Sequence, residues 1–119
     1  MTTNLADKWV LITGASSGIG AEAAHAFAKE RCCLLLGARR VAKLEAVVSA
    51  ARAAGAPVAM FHELDVSQTT SVEAFVAWAR QQMLDAAPGI AEARLDVLIN
   101  NAGGAHGLDP VATAKDADW

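Results

Sequence analysis

The feature that most constrains the fold is a glycine-rich turn at residues 13–20, which reads Thr-Gly-Ala-Ser-Ser-Gly-Ile-Gly. A short apolar run at residues 9–12 precedes the turn and is typical of a buried strand. The alanine-rich segment 21–30 follows without proline or glycine and predicts a helix. Glycines let a ligand approach the backbone closely, and the free N–H groups of a helix start attract anions. Strand, turn and helix in this order therefore predict a phosphate-binding corner.

The spacing of Gly14, Gly18 and Gly20 is G-x-x-x-G-x-G, which differs from the older dinucleotide fingerprint G-x-G-x-x-G. A glycine pattern alone is weak evidence for a phosphate-binding turn. The position of these glycines between a predicted strand and a predicted helix strengthens that interpretation. Ser16 and Ser17 are not expected to be nucleophiles, because no His and Asp accompany them at a recognisable spacing. A helix N-cap explains the two serines.

Strands alternate with helices along the chain. Apolar runs predict strands at residues 8–13, 33–37, 58–64 and 96–99. Helices are expected between them, and alternation of this kind predicts a parallel sheet with helices on both faces. Right-handed crossovers and the usual winding of this half give the strand order 3-2-1-4. The predicted fold class is α/β, a doubly wound sheet of the Rossmann type that is incomplete at four strands.

Apolar residues at helical spacing predict which helix faces are buried. In the first helix one face is expected to contain Ile19, Ala23, Ala26, Phe27 and Glu30, and to be apolar until its end. The second helix is expected over residues 41–54, and the third is expected to begin at an N-cap on Ser67.

Ligands of such sheets bind outside the carboxyl ends of the strands, where the winding reverses between strands 1 and 4. This rule brings together the glycine turn and residues 38–40, 65–66 and 100–103, each of which follows a predicted strand. We therefore expect one binding edge built from four separate stretches.

The end of the second strand bears on the choice of cofactor. An acidic residue there bonds the ribose 2′-hydroxyl of NAD, whereas a nearby Arg accommodates the 2′-phosphate of NADP. This chain has Ala38 at that place, followed by Arg39 and Arg40. The alternative is that the two arginines are solvated residues at a helix start, although helix starts prefer acids. The sequence favours NADP over NAD.

Composition narrows the function classes. The chain has 119 residues and 54% hydrophobic content, which fits one domain with a real core. Ten basic and 13 acidic residues give a net charge of -3, with no basic stripe typical of nucleic-acid binding. No apolar run approaches the about 18 residues of a membrane span, and residues 1–8 lack signal-peptide features. A cytoplasmic protein without membrane or nucleic-acid partners is expected.

Residues that could carry metal or nucleophilic chemistry lack partners at a recognisable spacing. Cys32 and Cys33 lie in an apolar run and are expected to be small buried residues. His25, His62 and His106 are expected to have surface or capping roles. No metal site is predicted.

Together these residues resemble the short-chain dehydrogenase/reductase family over nearly the whole chain. Residues 13–20 look like its motif T-G-x-x-x-G-x-G, Asp65 like its adenine-side Asp, and residues 100–103 like its N-N-A-G motif. The resemblance implies that Asp65 and Val66 hold the adenine of the cofactor. It also implies that the Asn-Asn-Ala-Gly segment braces the sheet beside the cofactor, partly through Thr13.

The resemblance extends to a branch of the family. The loop at Pro88 and residues 107–119 look like the NADP-dependent 3-hydroxy acid, or serine 3-, dehydrogenases. The predicted cofactor-binding residues are Gly14, Ser16, Ser17, Gly18, Ile19, Gly20, Arg39, Arg40, Asp65, Val66, Asn101, Ala102 and Gly103.

The chain departs from the family in one respect, because it contains no tyrosine. In this family an Asn, a Ser and a Tyr-x-x-x-Lys pair carry the hydride chemistry, and Tyr is the general acid/base. Residues 1–119 are therefore expected to be the N-terminal, cofactor-binding part of one Rossmann domain and to be inactive alone. The complete protein is expected to be a homo-oligomeric oxidoreductase, a dimer or tetramer, that acts on an alcohol or carbonyl. The alternative is a non-catalytic NAD(P)-binding or interaction module.

Overall fold

Four parallel strands form one sheet with the order β3-β2-β1-β4, as the sequence predicts. The structure is a computed structural model and describes residues 5–86 and 93–101. Its elements are β1 (Trp9–Thr13), α1 (Gly18–Lys29), β2 (Cys33–Ala38), α2 (Val41–Ala54), β3 (Val58–Glu63), α3 (Thr69–Ala86) and β4 (Val97–Asn100). The predicted doubly wound α/β fold is confirmed, and each predicted strand boundary lies within one residue of the observed one.

The register of the sheet brings the strand ends level. Thr13, the last residue of β1, pairs with Gly37 of β2 and with Asn100 of β4. The segments that follow these strands therefore emerge side by side at one edge of the sheet. This edge carries the candidate site.

Alternation along the strands divides the core into two layers. Val10 and Ile12 belong to the layer beneath α1 and α2, whereas Leu11 packs on the other face with Phe75 and Met83 of α3. Every residue of β2 is buried, because helices cover both faces of this central strand. All residues of β4 are half-buried.

The prediction that Ile19 and Ala26 lie in the buried stripe of α1 is wrong. The buried residues of this helix are Gly20, Ala24 and Ala28, while Ile19 is 74% exposed and Ala26 is exposed. The buried residues are spaced four apart and form one row of the smallest side chains. A row of this kind lets the helix lie close to the sheet, and it turns Ile19 outward.

The prediction that Ser67 caps α3 is also wrong. The helix begins at Thr69, and Gln68 is the residue whose carbonyl accepts the first N–H groups. Ser67 is one residue too early for this role. Its hydroxyl instead donates to Asp65 Oδ1 over 2.6 Å.

The two cysteines are buried thiols, as predicted. Cys32 Sγ lies 3.4 Å from the carbonyl oxygen of Leu5, and Cys33 Sγ lies 4.0 Å from that of Asp7. Burial is the main cause that raises the pKa of Cys33 to about 11, and burial also raises the pKa of Cys32. Both side chains are therefore thiols at neutral pH and poor nucleophiles.

The histidines take structural positions where they are described. The His62 ring lies 5.2 Å from the Trp78 ring and 6.1 Å from the Phe75 ring, and His25 is exposed. His106 lies outside the described residues. Within residues 5–86 and 93–101, no three metal-ligating side chains come together. Among the described helices, none is both long and apolar enough to cross a membrane.

Candidate functional site

The glycine turn between β1 and α1 is held by the backbone and by Ser17. Gly14 has a φ of 64°, which an L side chain rarely adopts, and its carbonyl accepts from the Ser17 N–H over 3.2 Å. Ser17 is the N-cap of α1, and its Oγ accepts from the Gly20 N–H over 3.2 Å. The predicted N-cap role of this serine is confirmed.

The two glycines at the start of α1 have different surroundings. A Cβ at Gly20 would lie 2.3 Å from the Gly14 oxygen and 2.9 Å from Ala15 Cα, both of them backbone atoms. A Cβ at Gly18 would meet no atom within 4 Å. The backbone of Gly20 therefore packs directly against residues 14 and 15 of the turn, which leaves no room for a side chain. The space next to Gly18 is open, so a ligand can approach the turn there.

Asn101 ties the end of β4 to the glycine turn. Its N–H donates to Thr13 Oγ1 over 3.0 Å, which is the contact with Thr13 that the resemblance implies. Its side-chain amide donates to the Gly14 oxygen over 3.1 Å and to Ser17 Oγ over 2.7 Å. Ala102 and Gly103, the other two predicted residues of this segment, lie outside the described residues.

The hydroxyl groups of the two neighbouring serines differ in availability. Ser17 Oγ donates its one hydrogen to the Gly14 oxygen over 3.0 Å and accepts from Gly20 and Asn101. A hydroxyl has one donor and two acceptor sites, so this hydroxyl is fully used inside the turn. In the described part of the chain, the Ser16 hydroxyl has no such partner. Ser16 therefore has the hydroxyl that is free to donate to a ligand.

We expect Ser17→Ala to lower the free energy of unfolding by about 1 kcal/mol, the usual effect of losing an N-cap. Ser16→Ala, the matched control next to it, is expected to change stability by less than about 0.5 kcal/mol. Urea unfolding followed by circular dichroism measures both. Equal losses for the two variants would contradict the assignment of the cap to Ser17.

A cavity of about 700 Å³ lies at the carboxyl edge of the sheet. It is lined by the residues that follow all four strands, as expected for this fold. Of the predicted site residues it brings together Gly14, Ser16, Ser17, Ile19, Arg39, Arg40, Asp65, Val66 and Asn101. Gly18 and Gly20, which lie in the first turn of α1, do not line it.

Sequence reasoning missed three residues that line this cavity, namely Lys43, Leu64 and Ser67. Ala38, which the sequence analysis places at this edge, also lines the cavity, and its small side chain contributes no carboxylate there. The sequence contains one feature that could have identified Lys43. This lysine lies three residues after Arg40 at a helix start, so the two side chains are expected on the same side of the helix.

Asp65 is organised as an acceptor at the cavity. Its Oδ1 accepts from the Ser67 hydroxyl over 2.6 Å and from the Ser67 N–H over 3.0 Å. These hydrogen bonds are the main cause that lowers the pKa of Asp65 below its ordinary value, and the positive charge of Arg39 lowers it further. The carboxylate is therefore ionised throughout the physiological range.

This lowered pKa predicts a definite pH dependence. Asp65 should stay ionised as the pH falls through about 3.9, the ordinary value for Asp, and should protonate only below it. Its contribution to stability is present above that ordinary value and is lost as the pH falls through the folded-state pKa. Carboxyl-carbon NMR titration measures the pKa, which Ser67→Ala should raise and Ser49→Ala, an exposed control on α2, should leave unchanged. A pKa that is identical in all three proteins would contradict the role of Ser67.

A parallel sheet, a glycine turn closed by a helix N-cap, and a cavity at the carboxyl edge define a Rossmann-type α/β fold. Comparison with known proteins narrows this class. The family model described as "short chain dehydrogenase" matches residues 8–119. The chain therefore belongs to the short-chain dehydrogenase family.

Individual relatives agree with this assignment. The chain is 39% identical over 100 residues to 11-beta-hydroxysteroid dehydrogenase A of Sesamum indicum, a match covering 84% of this chain and 26% of that protein. It is similar to the structure of L-sorbose reductase from Gluconobacter frateurii complexed with NADPH and L-sorbose. That match has a TM-score of 0.70 and 31% identity, and covers 87% of this chain and 36% of that one.

A second solved structure, an NADH-dependent reductase A1-R' complexed with NAD, matches with a TM-score of 0.69 and 30% identity. This match covers 87% of the chain and 39% of that reductase. The chain thus spans between about a quarter and two fifths of the length of these relatives.

Proposed function

We propose that this chain is the cofactor-binding part of an NADP-dependent oxidoreductase that transfers a hydride between nicotinamide and an alcohol or carbonyl. The observation that carries the proposal is the cavity at the carboxyl edge of the sheet, which joins the glycine turn, Arg39 and Asp65. The names of similar structures support a nicotinamide cofactor, since one is a complex with NAD and another a complex with NADPH.

The residues around the cavity suit the separate parts of a dinucleotide. Asp65 offers a fixed carboxylate acceptor on the adenosine side. Ile19 and Val66 are 74% and 38% exposed, and both line the cavity, so an apolar contact surface is present for a flat ring. We propose that these two side chains pack against the cofactor, which would cover surface that is otherwise in contact with water.

The phosphates of the cofactor need donors and positive charge. The open surface over Gly18 and the free hydroxyl of Ser16 suit the pyrophosphate or the neighbouring ribose. Arg39 and Arg40 line the same cavity, and Ala38 places no carboxylate at the end of β2 that would repel a 2′-phosphate. Of the remaining predicted contacts, Asn101 acts by holding the turn, and Ala102 and Gly103 stay predictions.

The bound nicotinamide would supply or accept the hydride. Proton transfer to or from the substrate oxygen requires a general acid/base, which in this family is a tyrosine, and the chain contains none. We therefore propose that residues 1–119 bind and orient the cofactor while the acid/base residues belong to a further part of the enzyme. The 3-hydroxy acid substrate, the homo-oligomeric state and the cytoplasmic location stay predictions.

The test is equilibrium binding of NADPH and NADH to the chain, followed by the fluorescence of the reduced nicotinamide. We expect saturable binding of both and tighter binding of NADPH. Nicotinamide mononucleotide, which lacks the adenosine, is the control and should bind far more weakly. An absence of saturable binding for either cofactor would overturn the proposal. Binding without hydride transfer in a version extended through the downstream reading frame would favour the non-catalytic module instead.

A further inference from the structure

Lys43 lies at the same cavity as Arg39 and Arg40. It is exposed and sits in the first turn of α2, where its N–H donates to the carbonyl oxygen of Arg40 over 3.2 Å. Residues three apart at a helix start share one side of the helix. Three cationic side chains, contributed by the end of β2 and the start of α2, therefore border one cavity.

The positive charge of Lys43 has no acidic partner in the described part of the chain. The first turn of α2 contains no acidic residue, and the residues four before and four after the lysine are Arg39 and Val47. The acid within α2, Glu45, lines a separate groove beside Trp78 and not this cavity. Neighbouring residues of α2 therefore do not neutralise the positive charge of Lys43.

Asp65 compensates the cluster only in part. It is one carboxylate beside three cations, and its Oδ1 already accepts two hydrogen bonds from Ser67. Cations near a helix N-terminus are also disfavoured by the helix dipole, and like charges close together repel. Cations gathered at this place are therefore expected to repel one another, and a bound anion of high charge would relieve that repulsion. A phosphate monoester, which carries a charge of about −1.5 to −2 at pH 7, is such an anion.

We propose that Lys43 is a specificity-determining residue that binds the 2′-phosphate of NADP(H) together with Arg39. This inference rests on the proposed function, since it takes a nicotinamide dinucleotide as the occupant of the cavity. The two cations contribute differently. An arginine can hold a phosphate through two parallel hydrogen bonds, whereas a lysine acts as a compact point charge. The alternative is that Lys43 contacts the pyrophosphate, which NAD and NADP share. Measuring the affinity for both cofactors distinguishes the two contacts, because only NADP(H) carries the 2′-phosphate.

The experiment compares the dissociation constants of NADPH and NADH for the wild-type chain, Lys43→Met, Lys43→Arg, Arg39→Ala and Arg80→Ala. Methionine keeps most of the apolar stem and removes the charge, and arginine restores the charge. Arg80 is an exposed residue of α3 that does not line the cavity, so its variant is the control. Lys43→Met should weaken NADPH binding about five- to tenfold and leave NADH within about twofold, and Lys43→Arg should recover most of the loss. Thermal unfolding should be unchanged, because the side chain is exposed.

Each other outcome has a distinct meaning. Equal weakening of NADPH and NADH by Lys43→Met would place the lysine at the pyrophosphate and overturn the proposal. A selective loss in Arg39→Ala with no loss in Lys43→Met would overturn this inference while the proposed function stands. A wild-type chain that binds both cofactors equally would overturn the NADP preference, and one that binds neither would overturn the proposed function itself.

Discussion

Gly20→Val is expected to abolish cofactor binding and to destabilise the chain. A Cβ at this position would lie 2.3 Å from the Gly14 oxygen and 2.9 Å from Ala15 Cα, and backbone atoms cannot move aside as a flexible side chain can. The third neighbour, Asn101 Nδ2 at 3.0 Å, is itself bonded to the turn. The turn must therefore open, and the Gly20 N–H bond to Ser17 would be lost with it.

The expected loss from such overpacking is about 1–3 kcal/mol or more. For a domain of this size, about 1 kcal/mol corresponds to a shift of about 4–8 °C in the unfolding midpoint. Circular dichroism during heating measures the stability, and titration with NADPH measures the binding. Much of the helical signal should remain at low temperature, because α2 and α3 are separate helices that do not contain the substituted residue.

Gly18→Ala is the matched control two residues earlier in the same turn. An alanine Cβ there would meet no atom within 4 Å, and alanine favours the helix over glycine by up to about 1 kcal/mol. Stability should therefore be unchanged or higher, and weaker NADPH binding would locate the ligand over Gly18. If Gly20→Val unfolded at the wild-type temperature and bound NADPH normally, the closed turn would not be needed for either property.

The contrast between these glycines also shows what sequence reasoning could not supply. The spacing of the glycines predicts an anion-binding turn, but it treats Gly18 and Gly20 alike. Their difference depends on the close approach of Gly20 to the Gly14 carbonyl. The same turn is held by the Ser17 cap and by the hydrogen bond from Asn101 to the Gly14 oxygen. That contact joins positions 87 residues apart in the chain.

The sheet was the most predictable part of the fold. Its strand order follows from alternating apolar runs and general rules of handedness, and the structure has that order. The buried face of α1 was predicted only in part: Ala23 and Phe27 pack against the core, whereas Ile19 and Ala26 are exposed. Alanines occur on several sides of this helix and do not define a stripe. The rotation of the helix is set instead by its N-cap and by Gly20.

The candidate site was predictable where residues directly follow strands. Arg39, Asp65 and Asn101 are such residues, and all three line the cavity. Lys43 and Ser67 were missed because each has an ordinary role at sequence level, one as a solvated helix residue and the other as a cap. Their place at the cavity depends on how the segments after β2 and β3 fold back, which residue spacing alone does not determine.

Arg39→Ala is expected to weaken NADPH binding about ten- to hundredfold and to leave NADH binding nearly unchanged. A hydrogen bond to a charged group contributes about 1.5–3 kcal/mol, which corresponds to this range of affinity. Arg39 is exposed at the cavity and follows Ala38, so no neighbouring residue of β2 supplies a competing carboxylate. NADH lacks the 2′-phosphate, so its affinity should not depend on the guanidinium of Arg39.

Titration of both reduced cofactors at low and at moderate salt measures this effect, since a contact between exposed charges weakens as ionic strength rises. The wild-type preference for NADPH should fall with added salt, whereas the small preference left in Arg39→Ala should change less. Arg80→Ala removes the same charge from an exposed part of α3 and controls for the net charge of the chain. An equal loss of NADPH and NADH affinity in Arg39→Ala would mean that this arginine contacts a part of the dinucleotide that both cofactors share. The preference would then have to come from other donor side chains at the cavity, of which Arg40, Lys43 and Ser16 are the first to test.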